Sequence, residues 1–382
     1  MSQSSATILS IARHFAPLAD PRVARTRHHQ LADIIVIAIC GFVCGCKSWE
    51  QVAMYGRKHA DWLSTFLELP NGIPSKDTFR RVFARIKPYA FERCFGTWTQ
   101  ALAATLGIKQ VAIDGKTLRR SHDRGAGATA LHLVSAWAAD NQLSLGQLAV
   151  ADKSNEITAI PQLLELLELS GAIVTIDAMG CQKEIAAKIR EGGGHYLLAV
   201  KGNQENLLAD VQACFQAELV KPASRSRYSY YRAEMLGHGR IEHRQYYTID
   251  KPTGIRDLAL WKDLRTITMV VSERQVKGAE PTAETRYYIG SKAQKAKANA
   301  RYIRDHWGIE NTLHWTLDMV FDEDRNRTRK DHGPENVALL RRQAISILKN
   351  DKQTKGTTPT KQFAALLDHR ILERMLVAYS GR

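Results

Sequence analysis

The chain has 382 residues, 44% of them hydrophobic, a net charge of +15 and a pI near 9.6. That length predicts two or three domains, and an excess of Lys and Arg along the chain predicts a polyanionic partner, nucleic acid being the usual one; a basic but unrelated enzyme has the same balance. Cysteines at 40, 44, 46, 94, 181 and 214 give neither a disulfide framework nor a C-x-x-C zinc pattern, which predicts a reducing cytoplasm.

Residues 8–105 read as mostly helical. The most apolar stretch, LADIIVIAICGFVCGC (31–46), contains Asp33 and two glycines and falls short of a membrane span, so it reads as a buried helix with small hydrophobic cysteines. SWEQVAMYGRKHADWLSTFL (48–67) opens on a Ser cap and continues with a 3.6-residue apolar period. PSKDTFRRVFARI (74–86) puts Phe79, Val82, Phe83 and Ile86 on one face and Lys76, Arg80, Arg81 and Arg85 elsewhere. After a Pro-Asn-Gly-Ile-Pro turn, it suits the second helix of a helix-turn-helix whose Arg80 and Arg81 reach DNA. An ordinary solvated amphipathic helix has the same pattern.

From about 106 the pattern changes. QVAIDGKTL (110–118), ALHLVSAWAAD (130–140) and QLSLGQLAVA (142–151) read as three strands, with a tight turn at Asp140-Asn141. A helix (156–169), a β-branched strand AIVTIDAM (172–179), a second helix ending on glycines and the strand HYLLAVKG (195–202) follow. This order predicts an α/β fold, a ribonuclease H-like mixed sheet flanked by helices. Residues 203–219 look helical, and about 220–290 read as a β-rich insertion. HWGIENTLHWTLDMVFDED (306–324) reads as one helix, GPENVALLRRQAISILKN (333–350) as another. A polar linker (351–360) precedes a short C-terminal helix. The expected domains are 1–105, helical and DNA-binding; 106–350, catalytic and interrupted by the insertion; and 351–382.

Two strands share one form, apolar residues followed by Asp and a small residue: VAID-G gives Asp114 and VTID-A gives Asp177. If these strands are adjacent, the two carboxylates repel unless a cation lies between them, and hard divalent ions favour oxygen ligands. An Asp before Gly or Ala at a strand end is also common turn chemistry. Glu310 is the third candidate, on a helical face with Ile303, His306, Trp307, Leu313, His314 and Leu317. A rival reading makes His306, Glu310 and His314 ligands of zinc, although no H-E-x-x-H spacing is present. Asp318 ranks next as a third carboxylate.

The motifs AIDGKTLRRS, VTIDAMGCQ, AVKGNQ, GHGRIEHR and the 306–324 segment, in this order, resemble the H-repeat-associated insertion-sequence transposases of the DDE superfamily. The resemblance covers essentially the whole chain. It implies a ribonuclease H-like core with a β insertion before the last acid, and matches Asp114, Asp177 and Glu310 to the DDE triad. It further implies two Mg²⁺ ions (Mn²⁺ able to substitute), cleavage at transposon ends and strand transfer into target DNA. The implied partner is double-stranded DNA, both terminal inverted repeats and target, bound by a homodimer in a nucleoid-associated setting with no membrane. Domesticated DNA binding without catalysis, and a ribonuclease H-like nuclease without strand transfer, are the alternatives. One departure stands out. The Tyr, Arg and Lys that related enzymes carry around the last acid are Ile303, His306 and Leu317 here, so end contacts are expected from Arg304, His306 or His314. Further DNA contacts are expected from Lys116, Arg119, Arg120, Lys201, Asn203, His238, Arg240, Arg244, Arg325, Arg327, Arg329 and Lys330. Each has a bland counterpart: solvated basic loops, or pairing of Arg244 with Glu242.

Overall fold

A computed structural model describes residues 11–122, 127, 129–150, 156–237, 240–276 and 280–379. Helix α1 (Leu31–Val43) is buried from Asp33 to Val43, as its unbroken apolar run requires. Its one acid is satisfied, because Asp33 Oδ2 accepts the Leu69 N–H at 2.9 Å. Cys40, Cys44 and Cys46 are free buried thiols; burial pushes Cys40 and Cys46 up to about 12. Helices α2 (Trp49–Lys58) and α3 (Lys76–Arg85) begin where Ser48 and Ser75 accept from the Gln51 and Thr78 N–H groups at 3.3 and 3.2 Å. Helix α4 (Pro88–Leu106) carries Pro88 in its first turn, where a missing N–H is harmless.

The strands follow as β1 (Gln110–Thr117), β2 (His132–Ala138) and β3 (Leu143–Val150), with Gln142 at φ 53° in the β2–β3 turn. Then come α5 (Glu156–Leu164), β4 (Ile173–Ile176), α6 (Lys183–Glu191), β5 (His195–Val200) and α7 (Glu205–Leu219). Strands β6 (Tyr228–Gly237), β7 (Arg240–Asp250), β8 (Thr266–Val276) and β9 (Thr282–Gly290) form the insertion, and α8 (Ala296–His306) follows it. A π-helical segment (Ile309–His314), α9 (Trp315–Met319), α10 (Gly333–Asn350), α11 (Thr358–Leu367) and α12 (His369–Tyr379) complete the chain.

These elements divide into two compact units. The first contains residues 1–108, 115–155 and 309–382; the second contains 109–114 and 156–308. Strand β1 therefore contributes to both. In the first unit α10 is buried along most of its length and packs against α1, α3, α4 and β3. Its Asn336 amide donates to the Phe83 and Ile86 carbonyls at 2.8 and 2.9 Å, fastening it to the end of α3. Helices α11 and α12 also pack on α10, and Tyr379 donates to Gln343 Oε1 at 2.7 Å. The residues expected to form a separate tail are thus part of this unit, as two helices and not one.

The second unit is a mixed sheet in the order β1-β4-β5-β9-β8-β7-β6. Strands β1, β4 and β5 run parallel, and β9, β8, β7 and β6 continue antiparallel from β5. The insertion extends the core sheet. With the β2–β3 hairpin next to β1 in strand order, this is the helix-flanked, ribonuclease H-like arrangement that the sequence predicts. Helix α8 lays Ala296, Ala300 and Ile303 on sheet residues including Leu197, Tyr246 and Val270. Its buried Asn299 donates to the Thr268 hydroxyl at 2.9 Å.

The single helix expected over 306–324 is not observed. The α-helix ends at His306, and residues 309–314 are π-helical before α9 and a 3₁₀ turn at Glu323–Arg325. Among the described residues, no helix is long and apolar enough to cross a membrane.

Candidate active site and nucleic-acid surface

Ile113 of β1 and Ile176 of β4 are register partners in the parallel ladder, so Asp114 and Asp177 are the next residue on each of two neighbouring strands. The preceding apolar residues are buried on both strands, while both aspartates are half-buried. In open α/β sheets the crevice at the carboxyl ends of strands is where ligands bind. Asp177 caps the 3₁₀ turn Ala178–Gly180, its Oδ1 accepting the Met179 N–H at 3.1 Å. A β-carbon on Gly180 would meet Ile176 Cγ2 at 2.3 Å, so this tight exit from β4 requires glycine. Asn203 buttresses the turn by donating to the Ala178 carbonyl at 2.7 Å, and Gln204 donates to that of Cys181 at 3.0 Å. Lys201, beside them, is exposed. The support that KGNQ gives to Asp177 was not visible in sequence.

His306 sits under the same sheet with Nδ1 3.0 Å from the Thr175 hydroxyl. Burial pushes its pKa down to about 4, against the opposing pull of Asp177, so the ring is neutral near pH 7. It is a packed, hydrogen-bonded histidine and brings no positive charge there.

Glu310 belongs to the first unit and is exposed. The buried positions of its segment are Ile309 and Leu313, followed by Leu317 in α9. The expected apolar face centred on Glu310 is therefore out of phase. A turn at Trp307 and the wider π-helical winding shift the buried stripe by one residue. The same break removes the continuous helix on which a His306–Glu310–His314 zinc site would depend. Among the described residues, no three His, Cys, Asp or Glu side chains are gathered as a metal cluster.

Around this segment the charges are tightly engaged. Lys116, only 10% exposed, donates to both Asp318 oxygens at 2.8 and 2.9 Å and lies 3.5 Å from Asp324. Asp318, the runner-up third carboxylate, is thus taken by an ammonium group. Arg119 lies 3.2 Å from Asp324. Deeper, Arg342 and Glu323 form a fully buried pair at 3.2 Å, and Arg342 Nε donates to Ser135 at 3.2 Å. Burial beside Arg342 and Lys116 pushes the His314 pKa down to about 3.

The first unit also brings together basic residues far apart in sequence. A groove of about 400 Å³ has Phe42, Trp49 and Val337 among its apolar lining and Lys47, Arg80, Arg327, Arg329 and Lys330 as its cations. A smaller recess of about 190 Å³ adds Arg81 and Arg85, with Asp331 its one carboxylate. The loop after the 3₁₀ turn is pinned to α3 by the His332 N–H, which donates to the Ala84 carbonyl at 3.0 Å. Arg80 pairs with Asp77 at 3.0 Å, Lys47 with Asp322 at 2.7 Å, and Arg329 Nε donates to the Arg120 carbonyl at 3.2 Å. Arg120 and Arg325 are exposed. Sequence reading singled out Arg80, Arg81, Arg327 and Arg329 but missed Lys47 and the convergence itself.

The remaining expected contacts lie in the second unit. Arg244 is held by Glu242 at 2.6 Å, the pairing that the sequence left open. Arg304 is exposed and donates to the Met235 sulfur. Arg240 opens β7, and His238 falls outside the described residues.

Two aspartates stand at matched positions of adjacent parallel strands, in a helix-flanked mixed sheet of the ribonuclease H-like class. Residues 105–348 match the Transposase DDE domain family, and residues 12–99 match the DDE_Tnp_1-associated family. The chain belongs to the DDE transposase family. It is 38% identical over 367 residues to YhhI of Escherichia coli (strain K12), which bears the name of an H repeat-associated transposase, covering 95% of this chain and 96% of that one. It is 36% identical to YncI of Escherichia coli O157:H7, also named for a transposase, over 98% and 96% of the two chains. The cryo-EM structure of a piggyBac transposase synaptic complex with hairpin DNA superposes at a TM-score of 0.43 and 12% identity, covering 98% of this chain and 79% of that one. So distant a likeness adds nothing to the assignment.

Proposed function

We propose that this protein is an active DNA transposase that cleaves a phosphodiester at the ends of its element and joins the freed 3′-OH to target DNA. The observation that carries this reading is the matched placement of Asp114 and Asp177 after the Ile113–Ile176 register pair. The donor set fits a hard divalent cation: oxygen ligands, with no Cys among them. Asp114 and Asp177 would hold Mg²⁺ or Mn²⁺, with Glu310 as the third ligand. A bound metal pair supplies Lewis acidity to the attacking and leaving oxygens of an in-line displacement.

The chain's own residues do the rest. The Gly180 turn and the Asn203 amide fix the Asp177 carboxylate. The basic groove of α3 and the 326–330 loop holds duplex DNA through its phosphates, with Arg80, Arg81, Arg327 and Arg329 as contacts. Arg119, Arg120, Arg325 and Arg304 add exposed positive charge. Two copies acting on paired inverted repeats, in the nucleoid, complete the proposal.

The test is cleavage of a labelled element end with Mg²⁺ by wild type, Asp114→Asn, Asp177→Asn and Glu310→Gln. Each substitution is expected to abolish cleavage while leaving DNA binding in place. Any variant that binds normally and cuts at the wild-type rate removes that residue from the site.

A further inference from the structure

We infer that the exposed face of α8, with the β6–β7 surface beside it, is a second track for the phosphate backbone of duplex DNA, lying wholly within the second unit. The inference rests on the reading of this chain as a protein that acts on DNA. A cleft of about 600 Å³ runs between α8 and the sheet. Tyr231 and Tyr302 are among the half-buried residues that line it, and Lys295, Lys297 and Arg301 stand on its helical side.

The placement of these cations follows from the helix. Ala296, Ala300 and Ile303 face the sheet, so residues 297, 301 and 304 share a different stripe, at spacings of four and three. A rise of roughly 1.5 Å per residue sets successive cations about 4.5–6 Å apart along the axis. Lys297 and Arg301 are both exposed, Arg301 by 55%.

A solvated helix face gains stability by mixing charges of opposite sign one turn apart. This face has one such partner, Asp305, at a long 3.4 Å from Arg301. Among the described residues, neither Lys295 nor Lys297 is ion-paired. Cations without an acidic partner, lining a cleft with tyrosines, are the donors used for backbone contacts, which carry register and affinity without base sequence. Unlike Arg304, Lys295, Lys297 and Arg301 have no role in the reading above, so this surface adds a backbone track in the second unit to the basic groove of the first.

The test measures affinity against salt concentration for the full-length protein on two duplexes of equal length, one carrying the element end and one unrelated. The Lys297→Ala/Arg301→Ala double variant should bind both duplexes at least about tenfold more weakly near 0.1 M salt. Its slope of log K against log [salt] should be shallower by about 2, since each phosphate contact contributes about 0.9. The Lys297→Arg/Arg301→Lys double variant should keep the wild-type slope, which separates lost charge from lost folding. An unchanged slope and affinity in the alanine variant would overturn the inference, as would a loss confined to the element end. A wild-type protein that binds both duplexes with a steep slope but does not cut overturns the transposase reading and leaves this surface standing.

Discussion

Asp177 and Glu310 are held in opposite ways. Asp177 leaves a buried strand into a turn where a β-carbon at Gly180 would clash with the Ile176 side chain, caps that turn with its own oxygen and is buttressed by Asn203. Glu310 stands exposed on a π-helical segment whose neighbours, Ile309 and Leu313, are buried. The rigidity around the aspartate lies in backbone and hydrogen bonds immediately next to it. Around the glutamate it lies deeper, in the Lys116–Asp318 and Arg342–Glu323 pairs. π-helical turns cluster at functional positions because they re-aim side chains at some loss of regular hydrogen bonding.

This contrast can be broken experimentally. The largest effect is expected for Asp177→Asn. Asparagine keeps the cap, so the melting temperature should hardly move, whereas cleavage should fall by about 10²–10⁴, the equivalent of several kcal/mol. Next comes the support beneath the π segment. Arg342→Met leaves the Glu323 carboxylate buried without its partner and should destabilise by about 3–5 kcal/mol in denaturant titrations. The Glu323→Gln/Arg342→Met double variant should recover much of that loss, and equal loss in single and double variants would show that the pair is not the anchor. Gly180→Ala should cost about 1–3 kcal/mol by overpacking against Ile176, with cleavage lost in parallel. A fully active Gly180→Ala protein would mean that the turn does not fix Asp177.

The smallest effect concerns His314. Its folded pKa, about 3, lies below the unfolded value of 6.5, so the unfolded chain binds the extra proton as pH falls. The stability that depends on a neutral ring is complete above about pH 7.5 and declines through 6.5 towards 3. Between about pH 8 and pH 5.5 the loss is about 1.4 kcal/mol, read as a shift in the denaturant midpoint. His314→Gln should remove that amount from the profile and leave the similar contribution of His306, whose pKa is also pushed down; an unchanged profile would place the His314 titration elsewhere.

The aspartates were legible because parallel strands read as continuous β-branched runs, and VAID and VTID each end on an acid where burial ends. Strand order then followed from the alternation of strands and helices. The phase of Glu310 was not legible, since one extra residue per turn leaves no mark in an apolar pattern with four-residue steps at 309, 313 and 317. Nor did the sequence show that Arg80 and Arg327 would share a groove, because nothing local couples α3 to a loop that follows far later in the chain. The Ser48 cap, being local, is legible in the sequence.

The place of α10 has a consequence for synthesis on the ribosome. Helix α1 is among the most apolar segments, yet it packs against α10, whose residues begin at Gly333. At roughly 5–20 residues per second, the nascent chain waits roughly 15–60 s before that partner is made. Throughout that interval the oily helix has α2 and the Leu69 turn to pack on but lacks its α10 partner, while the second unit's sheet can already form. The first unit therefore closes only near the end of translation, and a message cut short before α10 yields a chain suited to chaperone capture or proteolysis, with its basic groove unformed.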